Sequence, residues 1–108
     1  MASSANFVKY ICDSIAETGV VEAKRMFGEY GIYVNGKMAL LVCDNTVFVK
    51  QWPCLAGLMA DAETGAPYEG AREYYIIDAD DQALLMKVIR TIEPVLEYPK
   101  KRRRKEKI

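Results

Sequence analysis

The sequence predicts an α+β domain of two layers, an antiparallel sheet covered by helices, with elements in the order α-β-β-β-α-β-β-α. Three observations carry that expectation. Two segments repeat apolar residues at helical spacing, one near each end of the chain. Between them lies a β-rich stretch broken by Asn35-Gly36 and Asp44-Asn45. The 108 residues, 51% of them apolar, suffice for one packed core and are too few for two domains.

Taken in order, Met1 to Asn6 is small and polar, with Ser3 or Ser4 placed to cap a helix. Phe7, Val8, Ile11, Ile15 and Ala16 then form one apolar stripe. Glu17-Thr18-Gly19 ends it, with Gly19 suited to the left-handed position after a helix. Arg25 to Gln51 reads as three antiparallel strands. Tyr30, Ile32 and Val34 alternate with Gly31 and Tyr33, and Asn35-Gly36 supplies a turn that needs positive φ at both residues. Lys37 to Cys43 returns, Asp44-Asn45 turns again, and Thr46 to Gln51 follows.

Pro53 lacks an N–H and suits the first turn of a short helix bearing Leu55, Leu58 and Met59, which Gly57 weakens. Thr64-Gly65-Ala66-Pro67 breaks that helix. Short strands are expected at Tyr68-Glu69 and at Glu73 to Asp78. Asp78 or Asp80 caps the last helix, whose face is Leu84, Leu85, Val88, Ile89, Ile92, Val95 and Leu96. Pro94 predicts a kink or an end near Glu93.

Residues 1–99 form the predicted domain and residues 100–108 a disordered tail. The net charge of zero hides an asymmetry. Residues 1–99 carry −6, and the tail carries +6 through Lys100, Lys101, Arg102, Arg103, Arg104, Lys105 and Lys107 against Glu106. Such a tail can neutralise several phosphates and release counterions, which would give sequence-blind nucleic-acid binding. No aromatic residue interrupts it, so base stacking is not indicated. The competing readings are a solubilising end, or an arm that folds back on the acidic body.

Catalytic groups are scarce. There is no histidine, which excludes Ser-His-Asp and Cys-His arrangements. Neither a GxSxG elbow nor a phosphate loop occurs. Asp80 and Asp81 are accounted for by helix capping. Cys12, Cys43 and Cys54 lie on separate predicted elements without CxxC spacing, so neither a disulfide framework nor a metal site is expected. The reading is a protein with no catalytic, metal or cofactor site. The longest apolar run, Met38 to Cys43, has six residues, far short of a membrane span, and residues 1–6 lack the features of a signal peptide. A cytoplasmic location with no membrane partner is expected.

Arg25-Met26-Phe27-Gly28-Glu29-Tyr30-Gly31-Ile32-Tyr33-Val34-Asn35-Gly36-Lys37-Met38 resembles the signature of the TfoX N-terminal domain family. Ala39 to Val42, Asp44, Thr46 and Val47 to Lys50 continue the match in residue type, as do Tyr68-Glu69 and Tyr74-Tyr75. The similarity spans about residues 5 to 97. Glu29 stands where glycine is common in the family. The resemblance implies a regulator of competence-gene transcription that acts in concert with the cyclic-AMP receptor protein. Full-length regulators of this kind carry a second, helical domain beyond the point where this sequence stops. It therefore implies a non-enzymatic module whose partners are proteins, transcription machinery among them. Of the motif residues Arg25, Met26, Phe27, Gly28, Tyr30, Gly31, Asn35 and Gly36, the glycines read as backbone devices and Met26, Phe27 and Tyr30 as packing residues. Self-association through the sheet, as a homodimer, is expected. An open face carrying Tyr33 and one of Tyr74 or Tyr75 would be a contact surface.

Overall fold

A computed structural model describes residues 3–26 and 29–98. Helix α1, Ala5–Ser14, begins where Ser4 Oγ accepts the Phe7 N–H at 3.1 Å, the cap that the sequence offers. A 3₁₀ turn, Ala16–Thr18, leads into β1 (Val21–Met26), β2 (Glu29–Val34), β3 (Lys37–Cys43) and β4 (Thr46–Val49). A second 3₁₀ turn at Pro53–Leu55 precedes β5 (Thr64–Gly65) and β6 (Tyr74–Ile77). Helix α2, Gln82–Ile92, runs into a 3₁₀ turn at Glu93–Val95, where Pro94 forbids further α-helix.

The strands form one antiparallel sheet in the order β1-β2-β3-β4-β6-β5. The two-residue turns β2–β3 and β3–β4 use positive φ at Asn35, Gly36, Asp44 and Asn45, as the hairpin twist requires. On β3, Tyr33 pairs with Met38 and Ile32 with Leu40, so Ala39 is an extra, bulged residue. Ala39 and Leu40 both join the core as a result.

One sheet face supplies Ile32, Val34, Leu40, Val42, Val47, Val49 and Ile77, all buried. Against it pack Val8, Ile11 and Ile15 before β1, and Leu85, Val88, Ile89 and Ile92 of α2. The α+β class and the two-layer packing are as expected. Tyr10 Oη donates to Asp80 Oδ1 at 2.8 Å, and Gln82 Nε2 donates to the Ser14 carbonyl at 3.0 Å, joining the two helices. Ser3, ahead of α1, is tied to the meander as well. Glu29 accepts the Ser3 N–H at 2.9 Å and the Asp44 N–H at 3.2 Å, while Ser3 Oγ accepts the Asn45 N–H at 2.8 Å.

Several elements differ from expectation. The stretch before Gly31 contains a fourth meander strand, β1, whose Glu22, Ala23, Lys24 and Arg25 are exposed. An edge strand in solvent needs no apolar alternation, so its sequence carries no strand signal. The helix expected after Pro53 is only a 3₁₀ turn followed by further turns. Tyr68-Glu69 is not a strand; Thr64-Gly65, read as a breaker, pairs instead with Tyr75 and Tyr74. The α2 cap is Asp81, which accepts the Leu84 N–H at 3.0 Å, while Asp78 Oδ1 accepts the Asp80 N–H. Gly19 adopts φ 153°, ψ −161°, not the left-handed helical region. The tail and Pro99 lie outside the described residues.

Candidate interaction face

Strand pleating sends alternate side chains to the face turned away from α1 and α2. Met26 and Lys24 of β1, Tyr33 of β2, Met38, Leu41 and Cys43 of β3, Phe48 of β4 and Tyr74 and Ile76 of β6 share that outer face. The register places them in rows: Lys24 opposite Gly31, Gly31 opposite Leu41, Leu41 opposite Phe48, and Phe48 opposite Ile76. None of these residues belongs to the helix-covered core. Tyr33 and Tyr74 are strand tyrosines on the open face, whereas Tyr75 packs against the core.

Gly31 is the floor of this face. A Cβ added there would come within 2.9 Å of Met26 Sδ, 3.2 Å of Met38 Cε and 3.5 Å of the Tyr33 ring. Three large side chains therefore close over bare backbone and are half-buried there, with no described helix packed on them. Met26, Glu29, Tyr30, Leu41, Cys43 and Tyr68 line a largely apolar depression of about 270 Å³. A second hollow of about 260 Å³, lined by Met38, Leu41, Phe48, Trp52 and Tyr74, adjoins it. Cations border the face. Lys24 Nζ lies 4.7 Å from the centre of the Tyr33 ring, and Lys50 Nζ lies 4.7 Å from that of Trp52. An apolar centre with a charged rim is the usual anatomy of a protein contact surface.

The face has little chemistry to offer. Cys43 is buried, and its thiol is pushed up by burial and then by the Glu29 charge, so the nucleophilic thiolate is disfavoured. Burial and the neighbouring Asp13 do the same to Cys12. Cys54 is exposed and points its thiol at the Thr91 carbonyl, 3.8 Å away. Burial would raise Glu29, but the Ser3 and Asp44 N–H groups outweigh it, and its carboxyl sits below the usual value. This carboxylate is a clamp. No three Cys, Asp or Glu side chains gather as a metal site among the described residues. No helix among them is long and apolar enough to cross a membrane.

The motif residues divide by role. Met26 and Gly31 belong to the outer face. Arg25 is exposed on β1 with its guanidinium 5.5 Å from the Tyr30 ring centre, and Tyr30 is half-buried against the core. Asn35 and Gly36 form the β2–β3 turn. Phe27 and Gly28 lie outside the described residues, as do Lys100, Lys101, Arg102, Arg103, Arg104, Lys105 and Lys107. Sequence reasoning did not single out Met38, Leu41, Phe48 and Ile76. The signal was present in the unbroken apolar run of β3, since a strand that faced solvent on one side would alternate.

A family profile described as the TfoX N-terminal domain matches residues 13–90. A relative from Spirochaeta aurantia, named as an uncharacterized 12.7 kDa protein in the trpE 5′ region, is 30% identical over 109 residues, covering 99% of this chain and 95% of the relative.

Proposed function

The chain belongs to the TfoX N-terminal domain family, and from that premise we propose that it is a non-enzymatic regulatory module that acts on transcription by protein contact through the outer face of its sheet. The supporting observation is the outer face itself: Met26, Tyr33 and Met38 gathered over Gly31, with Leu41 and the buried Phe48 in the neighbouring strands, and no described helix packed on that side. A face built only for stability would carry polar residues at these positions or be packed against a second layer. The partner is a cytoplasmic protein, with transcription machinery the class that the family suggests.

The experiment is complementation. In cells deleted for the gene, wild-type protein restores the transcript profile and a Leu41→Lys/Met38→Glu double variant does not, although circular dichroism shows it folded. Full restoration by the double variant refutes the face. A second reading rests on the +6 charge of residues 100–107. In it the chain is an accessory protein that binds nucleic acid without sequence preference. Affinity for duplex DNA then falls steeply with salt and is lost when residues 100–108 are removed. Binding that survives the deletion rules the tail out.

A further inference from the structure

Among the described residues no strand pairs with the outer edge of β1, and that edge is written so that it can pair with itself. β1 is the outermost strand, and Glu22 through Arg25 are exposed. The Asn35 N–H donates to the Val20 carbonyl at 2.7 Å, which fixes the phase of the β1–β2 ladder. With strand period two, Glu22, Lys24 and Met26 turn their backbone groups toward β2. Val21, Ala23 and Arg25 turn theirs outward, to the edge. The side chains of Glu22 and Lys24 stand on the outer face, and those of Val21, Ala23 and Arg25 on the other.

We propose that a second copy of this chain docks antiparallel along β1, with Ala23 facing its own counterpart on a two-fold axis perpendicular to the sheet. Such an axis maps each face onto itself, so it can pass only through a single residue and its symmetry mate. Centred on Glu22, it opposes two carboxylates. Centred on Lys24, it opposes two ammonium groups. Centred on Ala23, it sets Glu22 of each copy directly opposite Lys24 of the other, twice over. These are the closely spaced, non-hydrogen-bonded positions, where side chains interact most strongly. The same register pairs Ala23 with Ala23 and Val21 with Arg25 through outward N–H and C=O groups. Small alanines sit at the crowded axis, and the Arg25 stem lies over Val21.

Charges on an edge strand ordinarily keep other strands away. Here their order, acidic then basic two residues on, makes the edge complementary to itself in one register and repulsive in the adjacent ones. The two six-stranded sheets become one continuous sheet, and the two outer faces become one surface. A ladder this short buries less area than a permanent dimer does, so the association is concentration-dependent. The proposal stands apart from what the outer face binds.

Sedimentation equilibrium over a wide concentration range tests it. Wild type shows a monomer–dimer equilibrium that weakens with salt. Glu22→Lys or Lys24→Glu alone weakens it about tenfold or more, and the double exchange Glu22→Lys/Lys24→Glu restores it, because opposite charges face each other again. As an independent readout, Ala23→Cys in a Cys12→Ser/Cys43→Ser/Cys54→Ser background forms a disulfide dimer on mild oxidation. The Cα atoms of a hydrogen-bonded pair lie about 5.5 Å apart, within disulfide range. Lys24→Cys in that background crosslinks far more slowly, since its counterpart lies across the strand from Glu22. A strict monomer at all concentrations overturns the proposal. So does a dimer indifferent to the charge exchanges, or equal crosslinking at Ala23 and Lys24.

Discussion

Replacing Gly19 by alanine should destabilise the domain by about 2–4 kcal/mol, and the cost should depend on Asn35. Gly19 sits at φ 153°, ψ −161°, a region closed to residues with a side chain. Entering it costs roughly 1–3 kcal/mol. The added Cβ would also stand 2.6 Å from Asn35 Oδ1 and 2.7 Å from Asn35 Nδ2. That amide is not free to swing away, because Oδ1 accepts the Val20 N–H at 2.9 Å and anchors the start of β1 beside the β2–β3 turn. Displacing it forfeits a hydrogen bond worth about 1 kcal/mol. Urea unfolding of four proteins separates the two parts: wild type, Gly19→Ala, Asn35→Gly and the double variant. Asn35→Gly keeps the positive φ of the turn and deletes the obstructing amide. In its background Gly19→Ala should lose only the backbone part, giving a coupling of about 1 kcal/mol. Strict additivity, or a Gly19→Ala protein within about 0.5 kcal/mol of wild type, would refute the reasoning.

Glu29→Gln should cost about 1 kcal/mol at neutral pH, since the amide keeps one acceptor for the Ser3 and Asp44 N–H groups and loses the other. The folded carboxyl is held low, so its contribution is present above the unfolded value of about 4.3 and disappears as pH falls through the folded value. Denaturation curves of Glu29→Gln and wild type should therefore converge in acid, and a gap that widens there contradicts the assignment. Ile89→Ala, at a fully buried position of α2, should lower stability by about 2–5 kcal/mol in a thermal or urea melt. Leu41→Lys, on the outer face, should cost about 1 kcal/mol or less by the same measurement. A loss as large as that of Ile89→Ala would mean that Leu41 belongs to the core.

Much of this architecture can be read from the residues because local chemistry and tertiary packing agree. Asn35-Gly36 demands its turn whatever surrounds it, and the stripes of α1 and α2 need a sheet to lie on. The elements that escape are those whose form is set from elsewhere. β1 is a strand because β2 offers it a ladder, while its own residues suit solvent. Thr64-Gly65 pairs because β6 lies beside it, although Thr-Gly reads as a break. Gly19 takes its conformation from Asn35, sixteen residues on. The outer face was half legible: its glycine floor lies in the motif, and the apolar run of β3 announces two apolar sides. The phase of the bulge at Ala39 decides which residues face outward, and no local pattern gives that.

The clamp at Glu29 bears on the order in which the molecule assembles. Ser3 and Ser4 reach the second hairpin across a sequence separation of about forty residues through Asn45, and Ser3 shares the Glu29 carboxylate with Asp44. Their partners do not exist as a site until β2, β3 and β4 have joined. The first turn of α1 is thus expected to order late in folding, on a meander already in place. Its amides should therefore exchange with solvent sooner than those at the centre of β3.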